Sequence, residues 1–400
     1  MDYYGHTPGV PGNNVPGNPP SGQPAVYRPV PGYAPPVTAV PGQVPVPPVP
    51  PAAAYYPGYP LPQQLPQPMP VVQPAPAFVP PGYDPRLREA SRELNRMSML
   101  TLSQTVLAIV WQFLLMGVMT GMGISIYGSY PAYLWLSAVL VPLSTALPFF
   151  IYLMVKRERV PEFLRFEKTG VLKSLLCVLA GLGVCLLANY LSFFVQDAFA
   201  PFGYEPASLG TGGQTMFDFG LEFFSTALLV PVMEEFAFRG VIFSSLRRHG
   251  TAFAVAGSAI VFSLVHLDFS NVVFALVAGI VFGVLYAKTN NLWITIAIHA
   301  LNNGLAVVGS YADLLFWESW VEPMDLILFF GPIVLGLAAL LLLLVRRRRF
   351  FPAAAEETGK EPTAAPSPLE GGETALAIVR APALWVIVGM MALYTLVLFL

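Results

Sequence analysis

Apolar residues run along this chain in blocks of about twenty, the length an α-helix needs to cross a bilayer, separated by short polar connections that carry most of the charge. Nine blocks reach or approach that length: 102–127, 132–155, 171–195, 217–240, 252–267, 271–287, 292–311, 326–345 and 383–400. The expected fold class is therefore all-α, a polytopic transmembrane helix bundle of about eight or nine spans. The fourth block can extend as one helix toward Arg247, and the fifth and sixth are short enough to be re-entrant or broken. A polar Pro/Glu/Ala-rich stretch, 346–382, reads as a linker between a bundle at 86–345 and an additional C-terminal helix at 383–400.

The pattern is absent before residue 86. Residues 1–85 hold most of the 41 prolines, repeat Val-Pro-Gly from Val10, Val15, Val30 and Val40, and carry almost no charge, so they are expected to form a disordered tail with polyproline II character. Such a tail serves as a spacer or as a ligand for a proline-binding partner. No positively charged stretch followed by a short apolar one opens the chain, so insertion is expected to rely on the first span.

Composition sharpens the class. The chain of 400 residues is 55% hydrophobic and only 11% charged, far from the roughly 25% charged residues of soluble domains, and a net charge of -2 gives no basic excess that would point to nucleic acid. The basic residues fall in alternate connections: Arg86 to Arg96, Lys156 to Lys173, Arg247 and Arg248, Lys288, and Arg346 to Arg349. The intervening connections carry Asp197, Glu205, Asp268, Asp313, Glu318, Glu322 and Asp325 instead. By the cytoplasmic preference of Lys and Arg, the proline tail is expected to be cytoplasmic, in an integral protein of the plasma membrane.

Polar residues within the apolar blocks are the candidate chemistry, because a carboxylate at the bilayer centre costs several kcal/mol on insertion scales. The fourth block holds Glu234 and Glu235 with Arg239. Glu235 and Arg239 are four apart and face each other on a helix, which leaves Glu234 the less paired carboxylate and the better general base. His266 and His299, two of only four histidines, fall in or at the end of later blocks, and Asn303 follows His299 by one turn on the same face. Asn302 lies off that face, Phe262 packs one turn before His266, His6 lies in the tail, and His249 stands beside Arg247 and Arg248. A carboxylate, two imidazoles and a carboxamide polarise a water directly or through a divalent ion such as zinc, with His266, His299 and Glu234 as its ligands. The zincin helix with two histidines four apart is absent, so a metal site would draw on separate helices. A structural ion pair in a non-enzymatic membrane scaffold is the plain alternative. A proton-coupled transporter would show an inverted repeat, and the acidic pair has no counterpart in the first three blocks.

Taken in order, Glu234-Glu235-x-x-x-Arg239, Phe262-x-x-x-His266 and His299-x-x-x-Asn303 resemble the three motifs of the CPBP family, the CAAX-protease and bacteriocin-processing intramembrane endopeptidases. The resemblance covers about 230–305 and implies an intramembrane endopeptidase acting on a membrane-associated or lipid-modified polypeptide. It further implies Glu234 as general base, His266 and His299 as groups that bind the water or a metal, Asn303 as ligand or oxyanion stabiliser, and Glu235 with Arg239 as their support. Some relatives of that family act in bacteriocin immunity, so the substrate stays open.

Overall fold

The computed structural model describes residues 84–123, 130–206, 215–352 and 368–399, so all but the end of the proline-rich tail lies outside the described residues. Within them the chain is helical, with one isolated antiparallel bridge, Phe166 to Asn291, and no strand. The helices are α1 (Pro85–Gly121), α2 (Tyr130–Lys156), α3 (Val171–Phe199), α4 (Met216–His249), α5 (Thr251–Leu264), α6 (Phe269–Thr289), α7 (Leu292–Ser310), α8 (Glu318–Val345), α9 (Gly371–Val379) and α10 (Pro382–Val397).

Local chemistry sets most boundaries. Asp84 caps α1 by accepting from the Arg86 amide, with Pro85 at the first helical position, where its missing N–H costs nothing. Thr215 and Asp218 form a reciprocal capping box at the start of α4. Asp268 caps α6, Asn291 caps α7, and Asn290 ends α6 in the left-handed conformation an asparagine tolerates.

Six of these helices are long and apolar enough to cross a membrane, and the bent pair α9–α10 makes a seventh. The protein is an integral multi-pass membrane protein. Of the nine apolar blocks, the fifth falls short of a span. α5 has 14 residues, about 21 Å of helix against a hydrocarbon core of about 30 Å, so it does not cross alone. α2, Tyr130–Lys156, has 27 residues, about 40 Å of helix, which is enough to cross. The basic approach of Arg86 to Arg96 is continuous with the first span in one 37-residue helix.

Hydrogen bonds tie the Lys- and Arg-bearing connections to one end of the bundle. Arg248 reaches Glu93 at 2.8 Å, the Leu292 amide donates to Arg165 O, the Glu167 amide to Asn290 O, and the Leu369 amide to His249 O. At the opposite end Tyr204 bonds Asp268, and the Glu205 amide donates to Leu398 O. Between these ends α3 packs closely on α8. A Cβ on Gly183 would lie 2.7 Å from Gly336 Cα, so the two backbones touch as small-residue membrane interfaces allow.

The C-terminal segment departs from the linker expected at 346–382. Residues 371–379 are helical, and Leu369, Ala377, Ala381, Leu384 and Ile387 are buried in the same core cluster as Leu94, Phe238, Phe253 and Phe262. The Ala383 amide donates to Asn95 Oδ1 of α1 at 2.8 Å. Reading 346–382 by its average composition concealed the short apolar run Ala375 to Val379 at its end.

Candidate active site

The site is assembled on α4. Its winding changes twice: residues 223–229 and 236–243 bond i→i+5, and the α-helical turn Val230–Glu235 between them carries the two glutamates. Wide turns of this kind recur at functional sites. Here proline has a part in it. The Val230 amide bonds Ser225 O, five residues back, and the next donor in that register is Pro231, which has no N–H to offer Thr226 O. Asn303 Nδ2 from α7 fills that role, donating to Thr226 O at 3.0 Å. A backbone carbonyl that would otherwise stay unbonded thereby pins α7 against α4.

Glu235 and Arg239 are both fully buried and pair at 2.9 Å, as their spacing suggests. The guanidinium also donates to Gly279 O at 3.4 Å and lies over the Phe262 and Phe282 rings, 4.3 and 4.8 Å from their centroids. A charge removed from water is tolerable when it is paired and when aromatic faces replace part of its hydration. Phe282 carried no signal in the sequence, because an apolar residue in an apolar block is unremarkable until its ring is found beside a cation.

His299 joins this pair to the second glutamate. Its Nδ1 lies 3.1 Å from Glu235 Oε1, and its Nε2 lies 3.7 Å from Glu234 Oε2. Glu235, already bonded to Arg239, acts as the acceptor, so Nδ1 carries the hydrogen and Nε2 faces Glu234 with its lone pair in the neutral ring. Glu234 Oε2 is buried and has no hydrogen-bond partner, and the same holds for Glu235 Oε2 and for Asn302 Oδ1. Two atoms 3.7 Å apart can both lie within hydrogen-bond reach of a single oxygen.

His266 stands one aromatic ring away. Phe262 contacts both imidazoles, with centroid separations of 5.3 Å to His266 and 5.9 Å to His299. His266 Nδ1 is 3.1 Å from Phe262 O, an acceptor only, so Nδ1 donates and Nε2 is the free base of the neutral ring. The chain breaks just after it: α5 ends at Leu264 and Leu267 is left-handed at φ 60°. That turn is braced by Thr395 of α10, whose hydroxyl donates to Leu267 O and accepts from the Phe269 amide, both at 3.2 Å.

The structure therefore brings Glu234, Glu235, Arg239 and His299 into one cluster, with Asn303 bonded to α4 near it and His266 beside it across Phe262. Asn302 was ranked below Asn303 because it lies off the His299 face, yet it is the buried one with an unbonded oxygen. Among the described residues no three His, Cys, Asp or Glu side chains are grouped as metal ligands. The expected set of His266, His299 and Glu234 comes together only as the pair Glu234 and His299, since Phe262 separates His266 from it. This donor arrangement does not fit a three-ligand zinc site.

The cluster's depth follows from its neighbours. Arg247 at the end of α4 bonds Asn290, the residue that ends α6 just before α7 begins. Glu235 stands 12 residues before Arg247 and His299 nine residues after Asn290, so the cluster lies more than two helical turns from that end of the bundle.

Comparison with known proteins converges on the same segment. Residues 217–305 match the family described as Type II CAAX prenyl endopeptidase Rce1-like. The resemblance read from the three motifs is thus found again over the segment that carries them. The chain is 26% identical over 161 residues to the putative membrane peptidase YdiL of Bacillus subtilis (strain 168), covering 40% of this chain and 66% of that protein. It is 34% identical over 92 residues to the membrane-embedded CAAX protease MroQ of Staphylococcus aureus (strain USA300), covering 21% of this chain and 37% of that protein. The chain thus spans just under two thirds of the first relative and little more than a third of the second. No solved structure matches.

Proposed function

We propose that this protein is an intramembrane endopeptidase that hydrolyses a peptide bond of a membrane-associated polypeptide, with Glu234 as general base. One observation carries the reading: a buried, unbonded carboxylate oxygen, Glu234 Oε2, faces an oriented imidazole at 3.7 Å, while its neighbour Glu235 is spent on Arg239. The Rce1-like match over 217–305 and the two peptidase relatives support it.

In this reading a water accepts no hydrogen from the site and donates one to Glu234 Oε2 and one to His299 Nε2, which turns its lone pair outward. Glu234 takes a proton as the water oxygen attacks the scissile carbonyl carbon, and His266 Nε2, once protonated, or a carboxamide N–H of Asn302 or Asn303 stabilises the oxyanion. The tetrahedral intermediate collapses with cleavage of the C–N bond as the protonated Glu234 returns its proton to the leaving nitrogen. The products are a carboxylic acid and an amine, which part as carboxylate and ammonium once the acid's proton passes to the amine. In this reading the basic connections face the cytoplasm and the cluster opens to that side, so a cytoplasmic substrate segment reaches it first.

The test uses the purified full chain in proteoliposomes with a panel of membrane-anchored peptides, prenylated and plain, in ¹⁸O-labelled water. New termini bearing the label should appear, and Glu234→Gln should slow cleavage at least ~100-fold with its unfolding midpoint kept. Wild-type rates in that variant would remove Glu234 as the base, and the absence of any cleavage by folded protein across the panel would favour a scaffold.

A further inference from the structure

A second polar feature lies away from the glutamates, where the start of α1 meets the bend between α9 and α10. A cavity of about 570 Å³ is lined there by Arg88, Arg92 and Arg380 together with Asn95 and Asp84. Its volume falls in the range of small-molecule sites, roughly 300–1,000 Å³, and exceeds what a bare phosphate needs. The one acid on its wall is already engaged, since Arg86 holds Asp84 at 2.8 Å and turns also to Glu373 at 3.0 Å. Arg92 and Arg380 make no ion pair among the described residues, and Asn95 spends its Oδ1 on the Ala383 amide, which leaves its Nδ2 to donate.

The surroundings identify the class of ligand. α9 and α10 meet at 69°, and Arg380 at that bend is flanked by exposed Leu376, Val379 and Trp385, with the Trp385 Nε1 donating to Val379 O at 2.8 Å. A short helix with exposed apolar side chains, a bend into a 16-residue apolar helix and a tryptophan at the corner are what a membrane–water boundary favours. Guanidinium groups at that level meet phosphate, which they bind in a forked geometry.

We propose that Arg92 and Arg380, on the wall they share with Arg88, form a binding site for the phosphate of an anionic phospholipid headgroup, with Asn95 Nδ2 as a further donor and the acyl chains lying along α10. The site docks the C-terminal pair α9–α10 to α1 through a lipid as well as through direct packing. It stands apart from the hydrolytic reading and does not depend on it.

The experiment is native mass spectrometry of the delipidated full chain, titrated with phosphatidylglycerol or with phosphatidylcholine of the same acyl chains. The expected result is at least tenfold greater retention of phosphatidylglycerol, lost in an Arg92→Gln/Arg380→Gln variant that keeps the wild-type unfolding midpoint. Arg346→Gln/Arg347→Gln, which removes two exposed charges elsewhere, should leave retention unchanged. Equal retention of the two lipids, full retention by the first variant, or an equal loss in the second each overturn the proposal. Displacement of the lipid by millimolar inorganic phosphate would assign the site to a free anion and overturn it as well. Should the double variant unfold, Arg380→Gln alone, at an exposed residue, serves the same comparison.

Discussion

Arg239→Met tests whether the buried pair holds the site. Methionine fills much of the same space but removes the bond to Glu235 at 2.9 Å, the contact with Gly279 O, and the cation between the Phe262 and Phe282 rings. The larger effect is on what stays behind: a fully buried Glu235 left with only neutral partners, His299 Nδ1 and the Thr295 side chain. Breaking one side of a buried ion pair costs about 3–5 kcal/mol, because the survivor keeps its desolvation cost without its partner. Adding Glu235→Gln removes that orphaned charge while keeping an oxygen for His299 Nδ1–H, so the double variant should be less damaged than the sum of the singles by about 2–3 kcal/mol, roughly 30- to 150-fold in the folding equilibrium. Equilibrium unfolding in mixed micelles, followed by tryptophan fluorescence on wild type, both singles and the double, measures that coupling. If Arg239→Met costs less than about 1 kcal/mol, or if the two changes add within about 0.5 kcal/mol, the pair is not what holds these helices together.

Other contacts give shorter tests. Asn303→Ala leaves Thr226 O without a donor and should destabilise the protein by about 1–3 kcal/mol by the same unfolding assay, whereas Asn303→Asp, which cannot donate when ionised, should do no better. Thr395→Val removes two 3.2 Å hydrogen bonds from the Leu267 turn, so hydrogen exchange at residues 265–270 should quicken by about tenfold with the far end of the bundle unaffected. Gly183→Val forces a side chain into the Gly336 backbone and should cost about 1–3 kcal/mol, while Gly309→Ala, where an added Cβ meets nothing within 4 Å, should be neutral or slightly stabilising.

What the sequence disclosed followed from rules that act locally. Twenty-residue apolar blocks announce spans because an unbonded backbone is intolerable in lipid, and the i, i+4 spacing of Glu235 and Arg239 survives even the wider winding around it. What it concealed depends on contacts between distant segments. Asn303 shares a face with His299, and no neighbouring residue signals that its Nδ2 also bonds Thr226 O, left without a donor by a proline 72 positions earlier. The His266 turn was expected to be broken, and it is, but nothing near it announces that Thr395 supports it from the last helix. α5 was counted as a span because its apolar composition is right, and its length is what excludes it.

Two glutamates adjacent in sequence end in opposite circumstances because consecutive helical residues point about 100° apart. Glu235 turns to Arg239 and to His299 Nδ1, and Glu234 turns to His299 Nε2. One imidazole therefore reads both carboxylates, from opposite sides of its ring. The charge fixed on Glu235 by Arg239 holds the hydrogen on Nδ1, and that in turn keeps Nε2 a base on the side of Glu234. Neutralising Glu235 as glutamine weakens that preference without emptying the space beside Glu234, so cleavage should fall by a factor between those of a packing change and of Glu234→Gln itself. An Arg239–Glu235 pair with no bearing on the reaction would instead leave the rate of folded Glu235→Gln protein at the wild-type value. The measurement separates support of the fold from support of the chemistry, because the unfolding midpoint and the cleavage rate are read on the same preparation.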